Sequence, residues 1–281
     1  MDTCVVCGNE SRVYIKKNNT RIFRCGSCGM LFVDPEQIDL NFYKQYEENK
    51  SSTLEYYVLS EPNDRRSFLE RLKEIDRICP RKGEILEIGC SIGTFLKLAK
   101  ADGWTVAGVE PNKPICSYLK KDGANLPVFN AFFDEKFVES HNQKYDVVYS
   151  SDVIEHVPNP VSFLAGCKKL LKKGGLVVIV TPDFDSMLTR LFQVKPKQHF
   201  VYLNRENIRK LFDIAGLGII DVKNIHRYRS VRAMVNSTTF TDADNCGFLM
   251  PLVRIINMLK LNFAVEYVLD LFTEDLMIVA K

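Results

Sequence analysis

The residues Glu84-Ile85-Leu86-Glu87-Ile88-Gly89-Cys90-Ser91-Ile92-Gly93-Thr94-Phe95-Leu96 constrain this chain more than any other stretch. They read as a short buried strand, a glycine turn and the first turn of a helix. Ile85, Leu86 and Ile88 make the near-continuous apolar run of a strand covered on both faces. Gly89 and Gly93 let the backbone turn sharply and approach a ligand with no Cβ in the way. Phe95, Leu96, Leu98 and Ala99 then begin an apolar helical stripe. The start of that helix aims unpaired N–H groups and a partial positive charge at the turn, a seat for a carboxylate or phosphate.

The turn reads Glu-x-Gly-x-x-x-Gly. A dinucleotide site, Gly-x-Gly-x-x-Gly, needs a glycine where Glu87 stands, so a nicotinamide enzyme is disfavoured. A carboxylate there repels a pyrophosphate but accepts a hydrogen bond from an ammonium group, such as the methionine end of S-adenosylmethionine. A second strand, Thr105–Val109, closes with Glu110-Pro111-Asn112. An acidic residue there, about twenty residues past the turn, is placed to grip both hydroxyls of a ribose. A fourth strand, Tyr145–Ser150, leads into Ser151-Asp152-Val153-Ile154-Glu155-His156-Val157-Pro158.

Together these segments resemble motif I, the acidic end of strand two and the post-II segment of class I S-adenosylmethionine-dependent methyltransferases. The resemblance covers roughly residues 64–281. It implies an α/β fold with a Rossmann-like, seven-stranded mixed sheet, its seventh strand reversed beside the sixth. Glu87, Gly89, Cys90, Ser91 and Gly93 would hold the methionine moiety, and Glu110 with Pro111 the ribose. Asn130 falls where relatives contact adenine, often with an acidic residue that this chain lacks. Ser151 and Asp152 would lie beside the transferable methyl. The Asn-Pro-Pro-Tyr type of strand end, found in enzymes that methylate nucleic-acid bases, is absent, which disfavours a nucleic-acid acceptor.

The first forty residues have another character. Cys4-x-x-Cys7 and Cys25-x-x-Cys28 are separated by 17 residues, the spacing of a four-cysteine zinc site. Strand-like alternation at Arg12–Ile15 and Arg21–Arg24 completes a zinc ribbon over residues 1–40. Four thiolates close the coordination sphere, so the metal is expected to be structural. This head resembles that of bacterial small-molecule methyltransferases, including deoxysugar C-methyltransferases, which carry a further C-terminal domain.

Residues 41–63 read as a partly helical aromatic connector, with Tyr46, Tyr56 and Tyr57 packing the ribbon or capping a ligand. Asp64 is expected to cap a helix ending near Cys79-Pro80, and the domain 64–281 follows. A third strand is expected near Leu126–Phe129, a helix over Pro160–Lys172 stopped by Gly174-Gly175, and a fifth strand over Leu176–Val180. His199 follows strand five, where the acceptor pocket of such enzymes is built. A neutral imidazole there would serve as a base or brace the loop. Gln198 stands where some deoxysugar methyltransferases have glutamate. Asn204 with Asn207 is expected to start a helix that stops at Gly216. Gly218–Ile225 and Leu276–Ala280 read as strands six and seven, and the apolar stretch 248–272 as a lid, a dimer face or a groove. Lys223, His226, Arg227, Arg229 and Arg232 form a basic patch, either solvated or meeting a phosphorylated acceptor.

Among 281 residues, 46% are hydrophobic and 26% charged, and the net charge of +3 is too small to argue for nucleic acid or a membrane surface. No apolar run approaches the roughly 18 residues of a membrane span. Nine cysteines without a leader-like start suit a reducing cytoplasm. The expected function is methyl transfer from S-adenosylmethionine to a small-molecule acceptor, with a structural zinc ion. An RNA methyltransferase and a non-catalytic binding module remain the alternatives, and no oligomeric state follows.

Overall fold

The computed structural model describes residues 2–39, 41–48, 52–192, 194–229 and 274–281, with Ile255 and Met258. The stretch 248–272 and Arg232 therefore lie essentially outside the described residues. The head forms antiparallel strands β1 (Asp2–Thr3), β2 (Glu10–Lys17), β3 (Thr20–Cys25) and β4 (Leu31–Val33). Helices α1 (Asn41–Glu48) and α2 (Ser52–Ile78) follow.

The helix expected from Asp64 thus begins at Ser52 and runs through Pro62. Asp64 accepts a hydrogen bond from Ser60 Oγ at 2.5 Å instead of capping a helix start. Leu54, Tyr57, Phe68, Leu72 and Ile75 share one core with the sheet behind them. That burial along the whole helix outweighs the roughly 3 kcal/mol penalty of an internal proline.

The main sheet is assembled from β5 (Glu84–Ile88), β6 (Thr105–Val109), β7 (Val128–Phe129), β8 (Tyr145–Ser151) and β9 (Leu171–Pro182). Between them lie α3 (Thr94–Ala101), α4 (Lys113–Lys121), α5 (Glu135–Ser140) and α6 (Pro160–Leu170). Then come α7 (Met187–Phe192), β10 (Val201–Tyr202), α8 (Arg205–Ile214), β11 (Ile219–His226) and β12 (Glu274–Ala280). The seven strands order as β11-β12-β9-β8-β5-β6-β7, with β12 antiparallel to both neighbours. This is the expected mixed sheet with a reversed seventh strand. Helix α6 stops at Leu170, short of the expected Lys172, because Leu171 already pairs with Tyr145 in the sheet.

Alternation along the strands sorts side chains into two cores. Leu86, Val148, Ile179 and Ile278 face α6 and α8, while Ile85, Val147, Val178 and Met277 face α2 and α3. Asn204 and Asn207 exchange side-chain and backbone hydrogen bonds and start α8 as expected.

The head is not separate. Strand β10 pairs with β4, Val201 opposite Phe32 and Tyr202 opposite Leu31, making a five-stranded sheet with β1-β2-β3-β4. Phe23, Met30 and Phe32 join the α6/α8 core, and Ile22, Leu31 and Val33 pack with Phe184 and Val194.

At the edge of the α2 core, Arg71 meets Asp275 at 2.8 Å, and both side chains are only 2% exposed. Removing one member of such a pair leaves a buried charge uncompensated, at a cost of about 3–5 kcal/mol. Asp275→Ala is expected to lower unfolding free energy by that amount in urea titration, and the Arg71→Met/Asp275→Leu double variant by less.

Candidate active site

The turn after β5 folds down onto β6. Gly89 has φ +76°, and a Cβ on it would lie 2.5 Å from Val153 Cγ2. Gly89 and Cys90 donate their N–H groups to Val109 O at 2.9 and 3.1 Å. A Cβ on Gly108 would come within 2.7 Å of Cys90 Sγ, so only glycine on β6 admits this packing.

Glu110, at the end of β6, is 1% exposed. Its oxygens accept N–H groups from Ser91 at 3.0 Å and Asn112 at 2.9 Å. Burial pushes its carboxyl up to about 7 against the pull of these bonds and of the Tyr46 hydroxyl. Glu87 is 3% exposed, and its Oε2 has no hydrogen-bond partner among the described residues. Burial, and next the Glu110 charge, hold its carboxyl well above the usual range despite Arg71. Ser91 Oγ is buried and unpartnered as well.

These groups open into a cavity of about 1240 Å³ at the carboxyl ends of β5, β6 and β8. Its wall brings together Glu87, Gly89, Cys90, Ser91, Glu110 and Pro111 on one side. Ser151, Asp152 and His199 stand on the same wall. Gly93 and Asn130 do not line it. Gly93 starts α3, and the Asn130 amide donates to Glu110 O and Pro111 O, both at 3.0 Å, so it braces the loop beneath the site. Phe132 and Phe133 reach the wall from that segment.

Sequence reasoning missed Arg71 and Lys195, which carry no motif, and left Tyr46, Tyr56 and Tyr57 between packing the ribbon and capping a ligand. All five line the cavity. The aromatic density before Pro62 was the available signal. Asp152 is bound to Arg227 and accepts from Ser151 Oγ at 2.8 Å. Burial opposes its charge, but Arg227 and Arg71 outweigh that and hold it below the usual carboxylate range. The expected basic patch divides accordingly: Lys223 pairs with Glu74, while Arg227 and Arg229 face the cavity.

His199 is 6% exposed on a turn whose Gln198 and His199 N–H groups donate to Lys195 O at 2.8 and 2.7 Å. Its ring lies 4.8 Å from that of His156. His156 Nδ1 donates to Gln198 O at 2.8 Å, since a carbonyl only accepts, and burial depresses its pKa so that the ring stays neutral. Burial, and then Asp152, raise the Glu155 carboxyl to about 8. One ligand atom from each of Glu155, His156 and His199 lies within 4.8 Å of the others, a set able to hold a divalent cation.

The four head cysteines also converge. Sulfur separations are 3.6 Å for Cys4–Cys28 and 3.5 Å for Cys7–Cys25. A tetrahedron with metal–sulfur bonds of about 2.3 Å has edges of about 3.8 Å, so the set fits zinc. Val6 N and Ser27 N donate to Cys4 Sγ and Cys25 Sγ, each at 3.4 Å, as bound thiolates require.

A family model described as "Methyltransferase domain" matches residues 61–222. The chain is 29% identical over 169 residues to the ubiquinone biosynthesis O-methyltransferase of Photobacterium profundum, covering 58% of this chain and 66% of that one. It is 31% identical over 146 residues to the enzyme of the same name from Aromatoleum aromaticum, covering 50% and 58%. Against the first of these curated relatives, from Thiobacillus denitrificans, it is 29% identical over 116 residues and spans 50% of that protein's length and 40% of its own. Among solved structures, the fold is similar to Burkholderia thailandensis 1,6-didemethyltoxoflavin-N1-methyltransferase, with TM-score 0.56, 12% identity and coverage of 97% and 98%. It also resembles an Archaeoglobus fulgidus methyltransferase, with TM-score 0.52, 21% identity and coverage of 86% and 100%. No described helix is long and apolar enough to cross a membrane.

The cysteine geometry predicts one zinc per chain by atomic absorption. Cys28→Ser is expected to lose the metal and lower the melting midpoint by about 5 °C or more.

Proposed function

The chain belongs to the methyltransferase-domain family, and from that premise we propose that it transfers the methyl group of S-adenosylmethionine to an oxygen of a small-molecule acceptor, such as a sugar, a nucleotide sugar or a natural-product intermediate. The O-methyltransferase names of the curated relatives support oxygen as the methylated atom. The observation that carries the reading is the Glu87 carboxylate, buried with one oxygen unpartnered and facing the cavity. A buried unsatisfied charge-bearing group of this kind is costly unless a ligand meets it. An ammonium group does so.

S-adenosylmethionine supplies a sulfonium-activated methyl, so the protein's task is alignment and exclusion of water. Glu87 accepts from the ammonium group, and Glu110 has lone pairs left beyond its two N–H bonds for ribose hydroxyls. The cavity exceeds the roughly 300–1,000 Å³ of a single small-ligand site, leaving space for an acceptor beside the cofactor. His199, on the cavity wall in the turn that follows β9, takes the acceptor proton. The four cysteines hold a structural zinc ion, and a reducing cytoplasm keeps their thiols available for it.

Calorimetric titration tests this reading. Wild type is expected to bind S-adenosylmethionine, and Glu110→Ala or Glu87→Gln to weaken binding at least tenfold, about 1.4 kcal/mol or more. A folded, zinc-loaded protein without binding overturns the reading. Both carboxyls sit above their ordinary range in the free protein and must be ionised in the complex, so binding releases protons. Affinity should therefore fall as pH drops through about 7, and this dependence should shrink in Glu110→Gln. His199→Asn is expected to reduce turnover by about 100-fold or more while cofactor affinity is unchanged.

A further inference from the structure

The cationic side chains of Arg71, Arg227, Arg229 and Lys195 line the cavity together with Asp64, Asp152 and Glu155. Arg71 and Arg227 are tied into a buried network: Arg71 contacts Ser151 Oγ and Asp275, each at 2.8 Å, and Arg227 contacts Asp152 and, at 3.5 Å, Asp275. Arg229 and Lys195 line the same cavity, within reach of the Arg227 and Asp152 charges, and backbone hydrogen bonds hold the segments that carry them. Asn63 Nδ2 on α2 donates to Arg229 O at 2.7 Å, and the preceding Tyr228 N donates to Ser67 Oγ at 3.0 Å. The Lys195 carbonyl anchors the turn that carries His199.

These cations act on one another. Burial first, and then Arg229, Arg227 and Lys17, bring the Lys195 ammonium down to about 8 against Asp152. Burial first, and then Arg227, depress Arg229 against the opposing pull of Asp275, Tyr56 and Asp152. Cations pressed together on a cavity wall are relieved by an anion entering that cavity.

We propose that the acceptor carries an anionic group, a carboxylate or a phosphate, and that Arg229 and Lys195 bind it and so position the reacting hydroxyl beside His199. This inference rests on the methyl-transfer reading and narrows its substrate class. An arginine offers a planar fork and a lysine a point charge, a pairing suited to oxyanions. Because Lys195 and His199 share one turn, gripping the anion at Lys195 fixes the distance from the acceptor to the base.

The test uses full-length protein saturated with S-adenosylhomocysteine, whose own affinity is measured first. Inorganic phosphate and acetate are titrated separately, with chloride at matched ionic strength as control. Phosphate or acetate should raise the melting midpoint beyond chloride, and whichever acts at lower concentration identifies the acceptor's anion. Arg229→Gln and Lys195→Met should each weaken the effect at least fivefold, and Lys195→Arg should retain it, with S-adenosylhomocysteine affinity unchanged throughout. Retained S-adenosylhomocysteine binding with no anion effect, or an effect indifferent to both substitutions, overturns the anionic acceptor alone. Failure of S-adenosylhomocysteine to bind overturns the methyl-transfer reading first and this inference with it.

Discussion

A carboxylate at the end of a central parallel strand, walled from water, demands a charged partner. Glu87 occupies that place between β6 and β8, on the strand face that looks toward α2. Its nearest opposite charge is Arg71, which is already engaged with Asp275 and Ser151. A packed core would have put an aliphatic residue there, as it does at Ile85 and Ile88. The sheet therefore tolerates a local instability, and the turn built around it makes sense as the receiving end for an ammonium group. Glu110 repeats the pattern one strand away, although its oxygens are partly satisfied by Ser91 and Asn112. Two buried acids close enough to raise each other's ionisation cost are an expensive arrangement that a ligand resolves.

Around these acids the walls come from distant parts of the chain. Tyr46 and Tyr57 approach Glu110 from α1 and α2, and Arg71 reaches across from α2 to β12. Asp152 at the end of β8 is held by Arg227 just past β11. Acidic and cationic side chains from these distant segments thus meet on one cavity wall.

What the sequence made legible is what lies close together along it. Glu87 and Gly89 fall within one strand-turn-helix unit, and Glu110 within the next, so their spacing and its family resemblance brought them together, as the cavity wall does. The seven-stranded mixed sheet with its reversed last strand followed from the family resemblance of these segments. Long-range pairings left no such trace. Nothing at Arg71 announces Asp275, more than 200 positions away, and nothing at Val201–Tyr202 announces a fifth strand for the head sheet. Pro62 and Asp64 misled for a related reason. Local chemistry favoured a helix start at that point, whereas burial of Leu54 and Tyr57 extends the helix upstream. Asn130, expected near adenine, instead turns its amide to the Glu110 and Pro111 carbonyls.

The head sheet bears on chemistry through Phe200. Its carbonyl accepts from Val33 N at 2.8 Å, and its N–H donates to Glu155 O at 2.7 Å. The residue next to His199 is thereby clamped between β4 of the head and the loop after β8. With Cys25 and Cys28 flanking the approach to β4, order at the sulfurs carries through three residues of strand into the turn that presents the imidazole. Bonds on both sides of Phe200 leave the turn little freedom to rotate, and a base must hold its direction through a reaction. A metal at the four sulfurs, as we propose, would then stiffen the turn that carries His199, while the glycine turn is ordered by its own hydrogen bonds to Val109.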